Sequence, residues 1–252
     1  MKRYLPPLAL LLVLFTAAMA QGPDAAKSNS NGVPTAGTIP PPPPITANST
    51  PLELARAALA AQGGDKFKNL KSMMLVGSAN LYAPNSAQSV PGSFVMVTAG
   101  DKVRIDIDAS PIFKFKQVYD GQQSYSSIPG VTMPPASKFG LLVLAKFDQP
   151  GYTVSAIPDK KKLRGFRVVD ADGNTTDFYL DPATARVMQY IIPYNGYMFG
   201  TEQSKLTPVD GVLIPFSFSQ RLETPQGAFF AEYKVKEVRL NQPIGDDVFM
   251  IQ

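Results

Sequence analysis

The sequence contains no histidine, no cysteine and no tryptophan, and only 17% of its residues are charged. Without histidine or cysteine there is no His-based triad, no thiolate nucleophile and none of the usual zinc or haem ligand sets. Catalysis would have to rest on carboxylates, lysine or serine, and no two acids stand in a pattern that would place them in one cleft. The sequence therefore predicts a non-enzyme with no cofactor. Nucleic acid is not an expected partner either: the formal net charge of +4 falls to +2 once Lys2 and Arg3 leave with a leader.

The lack of cysteine has two further consequences. No disulfide can brace the fold, so stability must come from burial, and about 200 residues are enough for one substantial core. A lipid anchor on a cysteine just after the leader is excluded as well.

The chain begins with features of an export signal, expected over residues 1–20. Lys2 and Arg3 form a basic end, Leu8 to Phe15 an apolar stretch, and Ala18-Met19-Ala20 a small-residue cleavage site. The apolar run is shorter than the ~20 residues of a spanning helix. Residues 21–50 are rich in Ser, Asn, Gly and Pro with almost no large apolar residues, and carry a proline run from Pro40 to Pro44, which predicts a disordered, proline-rich linker. Its alternative use is a docking site for a protein partner.

Order is expected from Pro51, in a domain spanning 51–252. Thr50 can cap a helix with Pro51 at its first position, and Leu52, Ala55, Leu59 and Gln62 follow at helical spacing until Gly63-Gly64. After a short helical stretch at Asp65 to Leu70 the period becomes two: Met73, Leu75, Gly77, Ala79 and Leu81 share one side of a strand.

Val103, Ile105 and Ile107 alternate with charged residues, whereas Phe94 to Ala99 is apolar on both faces. Gly100-Asp101 joins these two strands. Further strands are expected at Phe113 to Asp120, Gln123 to Ile128, Tyr152 to Ile157, Leu163 to Asp170, Thr175 to Asp181, Val187 to Pro193 and Tyr197 to Leu206. Val212, Ile214, Phe216 and Phe218 alternate in the next, where Pro215 predicts an edge position or a bulge.

In the last strand Phe229, Ala231, Tyr233 and Val235 share a face, yet Val238 and Leu240 continue on the opposite parity. One bulge residue near Lys236-Glu237 would produce that shift, and with it strong curvature. About ten such strands are too many to stay flat. Ala136 to Phe147, apolar nearly all round, predicts a short buried helix able to fill the concave side.

The remaining motifs have structural readings. Asp170-Ala-Asp172-Gly173-Asn174 resembles a calcium loop faintly, but Gly173 is fourth rather than sixth and the flanks are strands, so a hairpin turn is expected. Lys160-Lys161-Lys162 reads as a hairpin tip, with contact to anionic headgroups as its alternative. Asp246-Asp247, adjacent in an extended segment, reads as a solvated turn rather than a carboxylate pair.

Several phrases span nearly all of 51–252: Ala58-Leu-Ala-Ala-Gln-Gly-Gly64, Asp101-Lys-Val-Arg-Ile-Asp106, Tyr119-Asp-Gly-Gln122, Tyr179-Leu-Asp-Pro182 and Val209-Asp-Gly-Val-Leu-Ile-Pro-Phe216. In these phrases and in element order the chain resembles the LolA/LolB-like superfamily of periplasmic lipoprotein carriers and outer-membrane lipoprotein-sorting proteins. The resemblance implies an α+β, mainly β fold: a strongly curved antiparallel half-barrel sheet, with an N-terminal helix and a short apolar helix covering its concave face. It also implies a periplasmic carrier that holds an acyl chain, lipid or lipoprotein in an apolar cavity.

The residues expected to line that cavity are Val103, Ile105, Ile107, Ile214, Phe216 and Phe218, with Phe139, Leu142 and Leu144 covering it. The expected partners are a hydrophobic ligand and, transiently, a membrane surface. The rival expectation is an envelope adaptor or sensor acting through protein contacts with no lipid.

Overall fold

The computed structural model describes residues 37–128, 133–224 and 227–251. The expected signal peptide at 1–20, and residues 21–36 of the expected linker, lie outside the described residues. A first helix, α1 (Pro51–Gln62), begins with a capping box: Thr50 accepts from the Glu53 backbone N–H, and the Glu53 carboxylate accepts from the Thr50 backbone N–H at 2.7 Å. α2 (Asp65–Lys68) follows after Gly63 and Gly64.

The strands are β1 (Ser72–Tyr82), β2 (Ser89–Ala99), β3 (Lys102–Ala109), β4 (Phe113–Tyr119) and β5 (Ser124–Ser126), then β6 (Thr153–Ala156) and β7 (Arg164–Val169). They continue with β8 (Thr175–Leu180), β9 (Val187–Tyr194), β10 (Tyr197–Val209), β11 (Val212–Thr224) and β12 (Gly227–Leu240). Between β5 and β6 come a 3-10 turn at Ala136–Lys138 and the short helix α3 (Leu141–Leu144).

All twelve strands form one antiparallel sheet in the order β5-β4-β3-β2-β1-β12-β11-β10-β9-β8-β7-β6. Two meanders are joined where the first strand pairs with the last, and the outer strands β5 and β6 do not pair with each other. The sheet is curved and unclosed, as an open half-barrel.

Its register explains the sequence pattern. Val76 faces Glu237 but Gly77 faces Val235, so Lys236 is the extra residue of a bulge. That insertion brings Val238 and Leu240 back to the face of Tyr233 and Val235, and all four lie in or against the main core. Gly77 sits beside the bulge and opposite Phe94, whose ring occupies the space a side chain would need: a Cβ there would lie 2.7 Å from Phe94 Cε1.

Three sequence expectations are corrected in detail. β11 is an interior strand, between β10 and β12. Pro215 is tolerated because the pairing of β11 with β12 runs only from Ser217 onward, so the missing N–H falls outside that ladder.

Ala136 to Phe147 is not one helix. Phe139 is extended and Gly140 adopts a φ of 64° that glycine tolerates, with the Tyr190 ring 3.0 Å from where a Cβ would sit. Only the four residues of α3 are then α-helical.

The proline segment also makes contacts: Ile45 packs against Ala57, Ala61 and Ala185, and Arg164 donates through Nη1 to the Thr46 carbonyl.

The two-sided apolar pattern of β2 has a cause the sequence left unstated. Val97 and Val118 on the convex side form a second small core with Phe249, supported by Met74, Val95, Ile244 and Val248. A C-terminal 3-10 turn, Asp246–Phe249, covers them, and Lys102 holds Asp246 at 2.6 Å.

Candidate functional site

Residues paired across antiparallel strands share a face, so the register maps the concave surface row by row. One row runs Phe115, Ile107, Phe94, Gly77, Val235 across β4, β3, β2, β1 and β12. The next row runs Ala79, Tyr233, Phe218, Gln203 across β1, β12, β11 and β10. A third joins Leu81 and Ala231 through Gln220 and Thr201 to Tyr190, Phe178 and Phe166.

Aromatic rings knit these rows together. Phe218 stacks on Tyr233 at 4.6 Å, Phe94 meets both edge-on, and Phe166 stacks on Phe178 at 5.1 Å.

The expected lining residues fall on this face. Ile107, Ile214 and Phe218 are buried members of the main core, with Ile105 and Phe216 half-buried against it. Val103 is buried one row further, opposite Thr98. The expected cover is less uniform. Leu144 is fully buried in the core beside Val143 and Phe147, Phe139 packs edge-on against Tyr194 at 5.6 Å, and Leu142 is half-buried and takes no part in the main cluster. Sequence reasoning missed Phe94, whose face was ambiguous within an all-apolar run. It missed Gln203 too, because a polar residue in an alternating strand is normally assigned to solvent.

Two covers fill the hollow. α1 lays Leu54, Ala55 and Ala58 into it and anchors its end through Gln62 Nε2, which donates to the Leu213 carbonyl. The 136–147 segment lays in Val143, Leu144 and Phe147. Three ion pairs hold that segment and the turn after it: Lys138–Asp172 at 2.6 Å, Lys146–Asp101, and Lys68–Asp148 at 2.6 Å. The hydrogen bond to Asp172 raises the Lys138 pKa, and Lys68 lowers that of Asp148.

The electrostatics of the concave layer are almost neutral. Among the described residues the one buried charged side chain is Asp177, which takes a two-pronged bond from Arg167 at 2.6 and 2.9 Å. Burial pushes the Tyr233 and Tyr190 hydroxyls up, so both stay protonated. Gln203 is 4% exposed, and neither its Nε2 nor its Oε1 has a partner among the described residues. Each such unmade bond costs about 1–3 kcal/mol.

Two clefts open elsewhere. One of about 270 Å³ lies between the turns at Asp101, Gly121 and Asp170-Asp172, alongside Lys138, Lys146 and Tyr152. Another of about 340 Å³ lies between Thr38, Pro40 and Pro41, the Gly63-Gly64 turn and Gly211. None of the nine expected residues lines either cleft.

The Asp170 loop is a turn: its carboxylate accepts from the backbone N–H groups of Asp172 and Asn174. No cluster of three or more metal-ligating side chains occurs among the described residues.

No protein-family model and no curated protein matches the sequence. Solved structures do match the fold. A LolA superfamily protein from Nitrosomonas europaea superposes with a TM-score of 0.54 at 11% identity, over 81% of this chain and 98% of that one. A DUF1329 family protein from Desulfovibrio piger gives 0.50 at 11% identity, over 80% and 98%. The curved, unclosed antiparallel sheet with its few helices is thus that of the LolA-like fold.

Proposed function

We propose that the protein is an exported, periplasmic carrier that takes an acyl chain of a lipid or lipoprotein into the concave face of its sheet. The observation that carries this reading is the concave layer itself: rows of mainly apolar and aromatic side chains, interrupted by Thr201, Gln203 and Gln220, across an unclosed sheet, half covered by a segment with only four α-helical residues. Val103, Ile105, Ile107, Ile214, Phe216 and Phe218 would line the site, and Phe139, Leu142 and Leu144 would move aside as the chain enters. Burial supplies the driving force, at about 25 cal/mol per Å² removed from water. The displaced side chains offset part of that gain.

Contact with a membrane surface fits the same reading. Ile112 (71% exposed), Phe113, Met198 and Phe229 are exposed large apolar residues at turns on one end of the sheet. Such side chains enter the headgroup boundary readily. The second reading, an envelope adaptor that binds a protein partner, is favoured by the dense filling of the concave layer and by the two unpaired edges at β5 and β6.

Native mass spectrometry of protein purified gently from an exporting host, followed by organic extraction, separates the two. A co-purifying lipid mass is expected; repeated empty spectra together with no uptake of added lipid contradict the carrier.

A further inference from the structure

We propose that Gln203 reads the headgroup linkage of the ligand, donating through Nε2 to the carbonyl of an ester- or amide-linked acyl chain. This assignment rests on the carrier reading above. Gln203 lies in the interior of β10, directly opposite Phe218, in the row that continues to Tyr233 and Ala79. It is buried, and both its amide atoms lack a partner among the described residues. Buried side-chain amides are almost always bonded, so an orphan on the face that receives the ligand is a group awaiting one.

Its surroundings select the chemistry. Phe94, Phe218 and Tyr233 form a ring trio beside it, a wall suited to the first carbons of a chain. No buried cation accompanies it: the single buried charged side chain among the described residues is Asp177, already held by Arg167. A free carboxylate brought here would be uncompensated, whereas a neutral ester or amide carbonyl offers the acceptor that Nε2 lacks. Oε1 is then free to accept from a hydroxyl or amide N–H on the same headgroup. The selected class is a neutral acyl ester or acyl amide, not a free fatty acid or a bare hydrocarbon.

The test uses the full chain after lipid removal, titrated by calorimetry with 1,2-dioctanoylglycerol and with its dioctyl ether analogue, which lacks the carbonyls. Wild type is expected to bind the ester about fivefold more tightly than the ether, the size of one hydrogen bond. Gln203→Met should bring that ratio to about one and leave ether binding within about twofold. The empty variant should melt higher than wild type, since an unpaired amide has been removed.

A preference that survives in Gln203→Met, or equal binding of both lipids by wild type, overturns the assignment and leaves the carrier reading standing. Wild type that binds neither lipid overturns both. Gln203→Leu is the second variant, and failure of both variants to fold overturns the assignment too, because it would show the amide to be structural.

Discussion

α1 and the 136–147 segment cover the same concave face, yet they are held there by different forces. α1 has a capping box, a proline at its first position, six buried residues and a buried anchor from Gln62 to β11. The 136–147 segment has a 3-10 turn, a glycine break and a single helical turn; its polar ties are one buried hydrogen bond, from the Gly140 N–H to Thr176 Oγ1 at 3.2 Å, and two ion pairs with exposed aspartates, while Lys68–Asp148 holds the turn after it. Exposed pairs contribute about 0.2–1 kcal/mol each and weaken with salt. Both covers bury six residues, so the contrast lies in local structure: α1 is a regular capped helix, the 136–147 segment an irregular one, and the carrier reading predicts that the second is the one displaced.

Truncation within each cover should break or sharpen that contrast most. Leu54→Ala, on the buried face of α1, should cost about 3–4 kcal/mol in urea unfolding, as a fully buried leucine does. Leu144→Ala, in the 136–147 segment, truncates an equally buried leucine, but if that segment opens ahead of global unfolding the loss should fall to about 2 kcal/mol, and the change should tighten binding of an acyl probe, because less is displaced. Equal losses with no change in binding would put both covers in the fold. Next in size, Thr50→Ala removes the α1 cap and should cost about 1 kcal/mol without altering probe affinity.

The fold was legible because alternation sets which face each strand buries and turns set where strands end. Even the bulge at Lys236 could be read, since Val238 and Leu240 would otherwise point to solvent. The site was legible only as a face. That Ile107, Ile214 and Phe218 turn to the concave face follows from parity, but parity does not tell a lined cavity from a filled one.

What escaped the sequence depends on partners distant in the chain. Phe249 reaches back to cover Val97 and Val118, and Gly140 breaks the expected helix where the Tyr190 ring approaches. Pro215 falls just outside its ladder, and Gln203 looks solvated until the concave row is assembled.

Smaller effects test the ionic ties. Replacing Lys68, Lys138 and Lys146 together with glutamine should cost about 0.5–2 kcal/mol at low salt and less at high salt. Hydrogen exchange should quicken in residues 141–147 but not in α1. If α1 amides quicken equally, the segment is not an independent cover.

The smallest effect is on pH dependence. With no histidine, no side chain here titrates ordinarily between pH 5 and 8, so stability should be flat across that range. Hydrogen bonds hold the Asp108, Asp120, Asp148 and Asp246 carboxyls below their ordinary 3.8. The unfolded chain therefore takes up these protons first as pH falls. Stability present above about pH 4 should be lost below it, in melts recorded from pH 5 to pH 2.

The central claim is that the 136–147 segment must leave for an acyl chain to enter. Because the chain has no native cysteine, Lys138→Cys with Asp172→Cys, and Lys146→Cys with Asp101→Cys, can be bridged cleanly by a short bis-maleimide. Uptake of a fluorescent acyl probe is then compared before and after bridging in the same protein. The account predicts binding by the unbridged variant and its loss on bridging; equal binding by the bridged protein would contradict it.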